Sequence, residues 1–293
     1  MSIGILYESI EWSNQHLSDI LNKMSIKTEL INLETEPISL ERILQHTLII
    51  NRLFPSAPLR GNKRALRIAD TILKVIQDHH LPIINSREAY RYDCSKLCCM
   101  QALQPKNIPV PECLAYFSSA DLLAADTLSY PNVLKPDCSG RSLFTYILNN
   151  QEDLEVSLQQ IPDQPFIIQE YIKPIKKFTT RIEIVGQTIM SIHKRYLGSG
   201  GLSSYHAGSA FKKYPDCSVE IIQTAFKALA LLNIEMGSVD IIERSDDEFY
   251  LIDINATSNF SEDNVEMLGF DPVQVMAEYI LKRYSLLTKT YHY

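Results

Sequence analysis

Carboxylate and amide side chains interrupt the last apolar run of the sequence, EFYLIDINATSNF at residues 248–260. Asp253 lies within that run and Asn255 follows two positions later, so on a strand both side chains would point to the same face. Burying such groups without partners costs several kcal/mol. The stretch therefore predicts either polar groups that neighbouring backbone satisfies or a site that holds a charged ligand.

A second carboxylate is expected opposite the first. Asp240 stands in GSVDII, thirteen positions before Asp253, and the acidic segment RSDDE between them predicts a hairpin turn. Such a hairpin would place Asp240 beside Asp253 and Asn255. Three oxygen donors, two of them ionised, suit Mg²⁺, whereas zinc prefers His or Cys. The alternative is that the two aspartates only cap strand ends, and the residue pattern leaves both interpretations open.

Two lysines are candidates for binding a phosphate group. Lys135 lies inside the apolar run of YPNVLKPDCSGRSLF, where a lysine is rarely buried without a partner. Ser139 and Gly140 follow, and a loop of small residues exposes backbone amides that suit a phosphate. Lys96, on a predicted helix after Asp93, is the second candidate, with a solvent-facing lysine as the alternative. The Walker A pattern GxxxxGK[ST] does not occur.

Three further segments carry polar residues at the ends or on one face of predicted strands. PFIIQEYIKP contains the residues Gln169, Glu170, Tyr171 and Ile172. The backbone of this segment and the Glu170 carboxylate suit hydrogen bonds to an adenine ring. Arg181 in TTRIEIVG and Arg195 in SIHKRY supply guanidinium groups, which suit carboxylates and phosphates. Each arginine could stand on the surface, but the joint order of these residues is more specific than any one of them.

The strands and helices predicted to carry these residues follow two different patterns along the chain. The first ninety residues alternate strand signals (IGILY, TELINL, TLIIN, LPIIN) with helical stretches, which predicts a small parallel α/β sheet. From about residue 93 the pattern becomes α+β, with strands predicted at PNVLKP, FTYIL, PFIIQEYI, TTRIEIVG, QTIMSIHKRY, GSVDIIE and EFYLIDIN. A helix at VEIIQTAFKALALL precedes the last two strands. A final helix is predicted over 271–284, with Pro272 in its first turn.

Composition excludes several classes of protein. The 293 residues are 45% hydrophobic and 22% charged, and a net charge of −7 without a dense Lys or Arg run argues against nucleic-acid binding. No apolar stretch reaches the length of a membrane span, and Glu8 comes too early for a signal peptide. The six cysteines have irregular spacing, which favours reduced thiols. We therefore expect a cytoplasmic protein with no nucleic-acid or membrane partner.

The order of the polar residues resembles the ATP-grasp superfamily, and more narrowly its RimK-type and LysX-type amino-acid ligases. The resemblance extends over nearly the whole chain, and DINATSNF resembles the family motif EVNxT, with Asp253 in place of the usual Glu. It implies an N-terminal α/β domain at 1–90, then two ATP-grasp subdomains at 91–172 and 173–293. It also implies ATP and Mg²⁺ or Mn²⁺ as cofactors.

The resemblance assigns roles to the residues already named. For the nucleotide, the roles are phosphate binding by Lys96, Lys135, Ser139 and Gly140, and adenine binding by Gln169, Glu170, Tyr171 and Ile172. For the metal, the implied ligands are Asp240, Asp253 and Asn255. Arg181 and Arg195 would stabilise an acyl phosphate or hold the acid substrate. The family usually has an Asp two residues before Arg181, often as a ribose contact. Here that position is Thr179, which carries no charge but can hydrogen-bond and is a further ATP-binding candidate.

The loop GSGGLSSYHAGSAF at 198–211 also departs from the family pattern, which has an Asn and a Gly pair there. Four of the ten glycines fall in this loop, so its backbone is weakly constrained and suits a lid over the cleft. Tyr205 and His206 are the substrate-binding candidates in the loop, and Asn259 is a third candidate outside it. The alternative is a surface loop without a role.

The resemblance implies an ATP-dependent ligase that joins a carboxylate to an amine through an acyl phosphate. ATP and a small amino acid or a peptide or protein acceptor would be its partners, and the sequence leaves both a monomer and a homo-oligomer open. Two alternatives stand beside this one. The first is a peptide-modifying ligase that forms ester or lactam links, because nucleotide-binding residues do not identify the acceptor. The second is a nucleotide-binding protein without catalytic activity.

Overall fold

The computed structural model describes residues 1–117, 128–140, 142–198, 201–202, 211–245 and 247–289. Within these residues the chain forms a four-stranded sheet, a second four-stranded sheet and a five-stranded sheet. Tyr205 and His206 lie outside the described residues. In the described part of the chain, no helix has the length and apolar character needed to cross a bilayer.

The N-terminal sheet is parallel throughout. Its elements are β1 (Ile3–Tyr7), α1 (Trp12–Lys23), β2 (Thr28–Asn32), α2 (Leu40–Leu44), β3 (Leu48–Asn51), α3 (Lys63–Asp78) and β4 (Ile83–Ile84), with strand order β2-β1-β3-β4. The apolar runs of β1 and β3 are almost wholly buried, as expected for a parallel sheet covered on both faces. The predicted α/β character of the first ninety residues is confirmed.

The second sheet is antiparallel. Its elements are preceded by α4 (Arg87–Asp93) and α5 (Lys96–Leu103), and they are β5 (Cys113–Phe117), β6 (Asn132–Pro136), β7 (Tyr146–Leu148), α6 (Gln151–Leu158) and β8 (Phe166–Glu170), with strand order β5-β8-β6-β7. Lys135 therefore lies on a central strand, with β7 and β8 as its neighbours. The sequence reading identified β6 and β8 but missed β5.

The third sheet is also antiparallel. Its elements are β9 (Phe178–Val185), β10 (Thr188–Tyr196), β11 (Phe211–Lys213), α7 (Val219–Leu231), β12 (Met236–Glu243) and β13 (Phe249–Asn255), and α8 (Glu262–Leu268) and α9 (Pro272–Lys289) follow. The strand order is β11-β10-β9-β12-β13. The predicted final helix begins at Pro272 as expected and extends to Lys289, beyond the predicted end at 284.

Two side chains cap the start of α5. The Ser95 hydroxyl accepts a hydrogen bond from the backbone N–H of Cys98 at 3.1 Å, which starts α5 at Lys96. The Asp137 carboxylate also accepts from the N–H of Leu97 at 2.8 Å. The first turn of α5 is therefore attached to the loop that follows β6. This attachment holds Lys96 next to Ser139 and Gly140.

The last helix shares its hydrophobic core with the N-terminal sheet. Leu17 and Leu21 of α1 belong to the same buried cluster as Val273, Met276 and Ile280 of α9. Amphipathic helices derive most of their stability from such packing. The domain boundaries at 90 and 172 stay predictions, but the segment 173–293 contributes a helix to the core of the first ninety residues.

Candidate active site

The predicted acidic hairpin is present. Strands β12 and β13 pair in antiparallel register, with Asp240 opposite Asp253 and Ser238 opposite Asn255. The register shifts after Asp240, because Ile241 pairs with Leu251 and Ile252 is left as an extra residue. Such a bulge bends a strand and re-aims its groups. The freed carbonyl of Ile252 accepts a hydrogen bond from Lys135 Nζ at 2.9 Å, which links the second and third sheets.

Both predicted phosphate-binding lysines are buried, so neither is a solvated surface residue. Lys96 Nζ donates to the Ser139 carbonyl at 3.2 Å and lies 3.5 Å from Asp253 Oδ1. Burial opposes the charge on Lys96, but Asp253 and other acidic neighbours hold its pKa above the ordinary value. Burial lowers the pKa of Lys135 to about 8, with Lys96 adding repulsion and Asp253 opposing the change. Both ammonium groups therefore stand beside Asp253.

The two arginines meet at Asp240. Arg181 Nη1 donates to Asp240 Oδ2 at 3.0 Å, and Arg195 Nη1 lies 3.0 Å from both oxygens of the same carboxylate. Burial alone would raise the pKa of Asp240, but the two guanidinium groups hold it below its usual value. The carboxylate therefore stays ionised and fixes both arginines on the floor of the site.

A first cavity lies between the second and third sheets, with an empty volume of about 1090 Å³. Its lining includes every predicted nucleotide- and metal-binding residue, namely Lys96, Lys135, Ser139, Gly140, Gln169, Glu170, Tyr171, Ile172, Thr179, Asp240, Asp253 and Asn255, together with Arg181 and Arg195. Apolar side chains such as Val133, Ile147 and Ile242 form other parts of the wall. A slot with apolar walls and charged groups at one end suits a flat base attached to phosphates.

A second cavity, of about 1480 Å³, opens towards the N-terminal sheet. Its wall combines residues of the first sixty positions with residues of β9, β10 and the segment after β13, including Glu11, Arg60, Glu183, Ser191, His193 and Asn259. Gly140, Arg181, Arg195 and Asn255 line both cavities. The predicted catalytic arginines therefore stand where the two spaces meet.

Unsatisfied polar atoms are concentrated around the second cavity. Among the described residues, four buried side-chain atoms without a hydrogen-bond partner belong to its wall: Arg60 Nε, Ser191 Oγ, Arg195 Nε and Asn255 Nδ2. Leaving a buried donor or acceptor unpaired costs roughly 1–3 kcal/mol. The cavity is therefore suited to a polar ligand that would complete these hydrogen bonds.

The candidate metal ligands differ in availability. Asp253 is 27% exposed and its ion pair with Lys96 is long, at 3.5 Å. Within the part of the chain that the structure describes, the buried amide nitrogen of Asn255 makes no hydrogen bond. Asp240 is 9% exposed and both of its oxygens contact guanidinium groups. In the described part of the chain no cluster of three or more His, Cys, Asp or Glu residues forms a metal site. Two carboxylates and an amide on paired strands still fit a hard cation, which prefers oxygen donors.

Asn259 lines the second cavity but its amide is engaged. Its Oδ1 accepts from Ser13 Oγ at 2.7 Å, and its Nδ2 donates to Glu11 Oε2 at 3.0 Å. The residue therefore connects the segment after β13 to the start of α1. Its role in substrate binding stays a prediction. All six cysteines are free thiols, as expected from their spacing.

The sequence reading missed several residues of the site. Asp93 is 8% exposed and accepts from the backbone N–H of Ala256 at 3.0 Å, and burial together with Asp253 raises its pKa to about 7. Glu183 and His193 also line the second cavity. The alternation of polar with apolar residues along RIE and SIHKR placed these side chains on the same faces as Arg181 and Arg195. That signal was present in the sequence.

Comparison with known proteins finds a matching family model and several relatives. A model of the RimK-like ATP-grasp domain matches residues 94–280. The chain is 27% identical over 183 residues to a D-alanine–D-alanine ligase of Francisella philomiragia, covering 58% of this chain and 59% of that protein. It is 20% identical to beta-citrylglutamate synthase B of Danio rerio, covering 72% of this chain and 53% of that protein. The chain thus spans a little over half the length of these two relatives.

A further relative aligns over most of both chains. The probable alpha-L-glutamate ligase of Pasteurella multocida is 23% identical, covering 92% of this chain and 85% of that protein. Among solved structures, a RimK domain ATP-grasp protein of Sphaerobacter thermophilus has a TM-score of 0.71 at 14% identity, covering 95% and 99% of the two chains. D-alanine–D-alanine ligase of Bacillus anthracis complexed with ATP has a TM-score of 0.72 at 15% identity, covering 99% of each chain. At these identities, the structural similarity shows a shared fold.

Proposed function

The chain belongs to the RimK-like ATP-grasp family, and from this premise we propose that it is an ATP-dependent ligase that joins a carboxylate to an amine. ATP would bind in the first cavity, and the acid and the amine in the second. The observation that carries the proposal is the wall that the cavities share, where Arg181, Arg195 and Asn255 face both spaces. A phosphoryl group leaving ATP would reach a carboxylate in the second cavity at this wall.

The first step would be transfer of the γ-phosphoryl group to the carboxylate, which gives an acyl phosphate and ADP. Protein groups serve such a transfer mainly by positioning and by neutralising charge. Lys96 and Lys135 are placed to hold phosphate oxygens, and their attachment to Ser139 and Ile252 limits how far either ammonium group can move. Mg²⁺ or Mn²⁺, held by Asp253, Asn255 and Asp240, would neutralise charge on the phosphates.

The arginines would act on the acid substrate. Both are fixed by Asp240, and among the described residues Arg195 Nε has no hydrogen-bond partner. A carboxylate or acyl phosphate at the shared wall would accept from this free N–H. In the second step an amine attacks the acyl carbon, an amide bond forms and phosphate leaves.

The names of the relatives support amino acids or small acids as substrates. Two of them act on or form glutamate compounds by name, and a third joins D-alanine to D-alanine. Peptide substrates are supported by the ATP-grasp ligase PsnB, whose structure with a precursor peptide has a TM-score of 0.68 to this chain. A peptide-modifying ligase that forms ester or lactam links stays the second candidate, because nucleotide-binding residues do not identify the acceptor.

The test is an assay of the purified chain with ATP, Mg²⁺ and a panel of amino acids, citrate and short peptides, in single and paired combinations. Released phosphate, ADP and product mass are measured together. A carboxylate–amine ligase gives phosphate and a product whose mass is the sum of the two substrates minus water. Loss of water from a single peptide would instead identify the ester- or lactam-forming candidate. ATP binding without phosphate release in any combination would contradict both and favour a nucleotide-binding protein.

A further inference from the structure

Three polar side chains of β10 alternate along the face that lines the second cavity. Ser191, His193 and Arg195 occupy every second position, and all three line this cavity. Side chains two positions apart on a strand are roughly 7 Å from each other. His193 therefore lies one such spacing from Arg195. This spacing leaves room for a small nucleophile between the imidazole and an acyl group held by Arg195.

The surroundings of His193 keep its imidazole neutral. The residue is 6% exposed and stands opposite Arg181 of β9 and Lys213 of β11. Burial lowers the pKa of His193 below its ordinary value, and Arg181, Lys213 and Arg195 add to this effect while Glu183 opposes it. A buried imidazole that is neutral at physiological pH retains a nitrogen lone pair with which to accept a proton.

The acidic residues of the same cavity are already engaged. Glu183 Oε1 accepts from Arg181 Nε at 2.6 Å, and its Oε2 accepts from Ser258 Oγ at 2.6 Å. Among the acids at the far ends of the wall, Glu11 contacts Arg60 at 3.2 Å and Asp93 accepts from the N–H of Ala256 at 3.0 Å. Within the described part of the chain, neither ring nitrogen of His193 makes a hydrogen bond. The imidazole is therefore available as a base.

We propose that His193 is the general base of the second step, which removes a proton from the bound ammonium group so that the free amine can attack the acyl phosphate. This inference rests on the proposed ligase function. The C–N bond forms, and the bond between the acyl carbon and the phosphate oxygen breaks. Phosphate leaves with that electron pair and takes up the second proton that the nitrogen loses as the amide forms, while the imidazole passes the first proton to water. No oxidant, reductant or further reactant is needed.

The proposal separates the two steps of the reaction. Formation of the acyl phosphate transfers no proton from an amine, so it does not need His193. Hydroxylamine is a nucleophile that is largely unprotonated at neutral pH, so it intercepts the acyl phosphate without the help of a base. Amino groups of ordinary amino acids are protonated at that pH and depend on proton removal. A variant without the base should thus form hydroxamate normally and amide slowly.

The experiment compares the wild type, His193→Gln and His46→Gln. His46 is also a buried histidine, at 4% exposure, but it lies in the N-terminal domain beside Ser2 and lines neither cavity. Each protein receives ATP, Mg²⁺ and the carboxylate that gives the most phosphate release in the substrate panel. The nucleophile is either hydroxylamine or the best amine of the panel. Rates are measured across a range of pH.

For His193→Gln we expect wild-type hydroxamate formation and amide formation lower by about 10²–10⁴-fold, the usual contribution of a general base. Raising the pH should restore much of the amide rate in this variant, because the free amine becomes abundant. His46→Gln should follow the wild type in both assays. Equal amide rates in the wild type and His193→Gln would overturn the inference, as would a parallel loss of both products. Absence of hydroxamate and amide with the wild type would instead contradict the proposed ligase function.

Discussion

The two cavities differ in how far the protein satisfies their polar groups. In the first cavity, Lys96 and Lys135 are held by the carbonyls of Ser139 and Ile252. Among the described residues with an unpaired buried side-chain atom, those that line the first cavity, Arg195 and Asn255, also line the second. Arg60 and Ser191 add two further unpaired atoms to the second cavity alone.

The first cavity is therefore largely complete in the free protein, whereas the second needs a ligand to complete its hydrogen bonds. Paired groups hold their positions without a ligand, so the first cavity is preorganised for its charged occupant. Unpaired buried groups carry a cost in the free protein, and a polar ligand removes that cost on binding. We therefore expect substitutions in the first cavity to change nucleotide affinity. Substitutions that remove unpaired groups in the second cavity should raise the free energy of unfolding and weaken substrate binding.

The largest effect is expected at the two candidate metal ligands of β13, which line the first cavity. Replacing Asp253 and Asn255 together by Ala should lower turnover by more than about 10³-fold, because single groups that stabilise developing charge are each worth about 10²–10³-fold. Phosphate release and a circular-dichroism melting curve are measured on the same sample. The double variant should stay folded, since both side chains face cavity space. Unfolding at room temperature would show that these residues are structural caps instead.

A substitution confined to the first cavity should weaken ATP binding and leave binding of the other substrate unchanged. Lys135→Ala should raise the Kd of ATP by about 10–100-fold, because hydrogen bonds to charged groups contribute about 1.5–3 kcal/mol. The KM of the second-cavity substrate should remain within a few-fold of the wild type. Lys74→Ala is the control, since Lys74 is 49% exposed and pairs only with Asp78 on α3. Titration calorimetry and steady-state kinetics measure the two quantities. A loss of substrate affinity with unchanged ATP binding would reverse the assignment of the cavities.

The pKa of Lys135 gives a pH-dependent version of the same comparison. In the free protein this pKa is lowered to about 8, so the ammonium group loses its proton as the pH rises above that value. Phosphate oxygens favour the charged form, so ATP binding near pH 9 should take up a proton and weaken with further rise in pH. Calorimetry in buffers of different ionisation enthalpy measures this uptake. If Lys135→Met takes up the same proton, another group is responsible.

The smallest effect is expected at Ser191, whose buried Oγ has no hydrogen-bond partner among the described residues. Ser191→Ala removes that unpaired group and should raise the free energy of unfolding of the free protein by about 1 kcal/mol. The same change should raise the KM of the second-cavity substrate by a few-fold and leave ATP affinity unchanged. Denaturant unfolding and kinetics test the two parts. A decrease in stability would indicate that the hydroxyl is satisfied in the folded protein.

The sequence predicted the first cavity well because its residues interrupt regular patterns. Lys135 in an apolar run, and Asp253 with Asn255 at the end of another, stand out against the alternation that strands require. The second cavity was predicted poorly because its wall joins Glu11 and Arg60, near the start of the chain, to His193 on β10. Of these three residues, only His193 lies in a segment whose alternation of polar and apolar residues placed it on the face of Arg195. Tyr205 and His206, the predicted substrate residues, stay predictions outside the described residues.

Local sequence patterns predicted most of the strands, although not β5, and they also predicted the hairpin that pairs Asp240 with Asp253 and the set of charged groups available for phosphate. These follow from local spacing, since periodicity fixes which side chains share a face. Tertiary structure alone decided that Arg181 and Arg195 converge on Asp240, that α9 packs against α1, and that the bulge at Ile252 offers its carbonyl to Lys135. Such contacts join segments far apart in the chain, and their geometry depends on how whole sheets pack rather than on any local pattern.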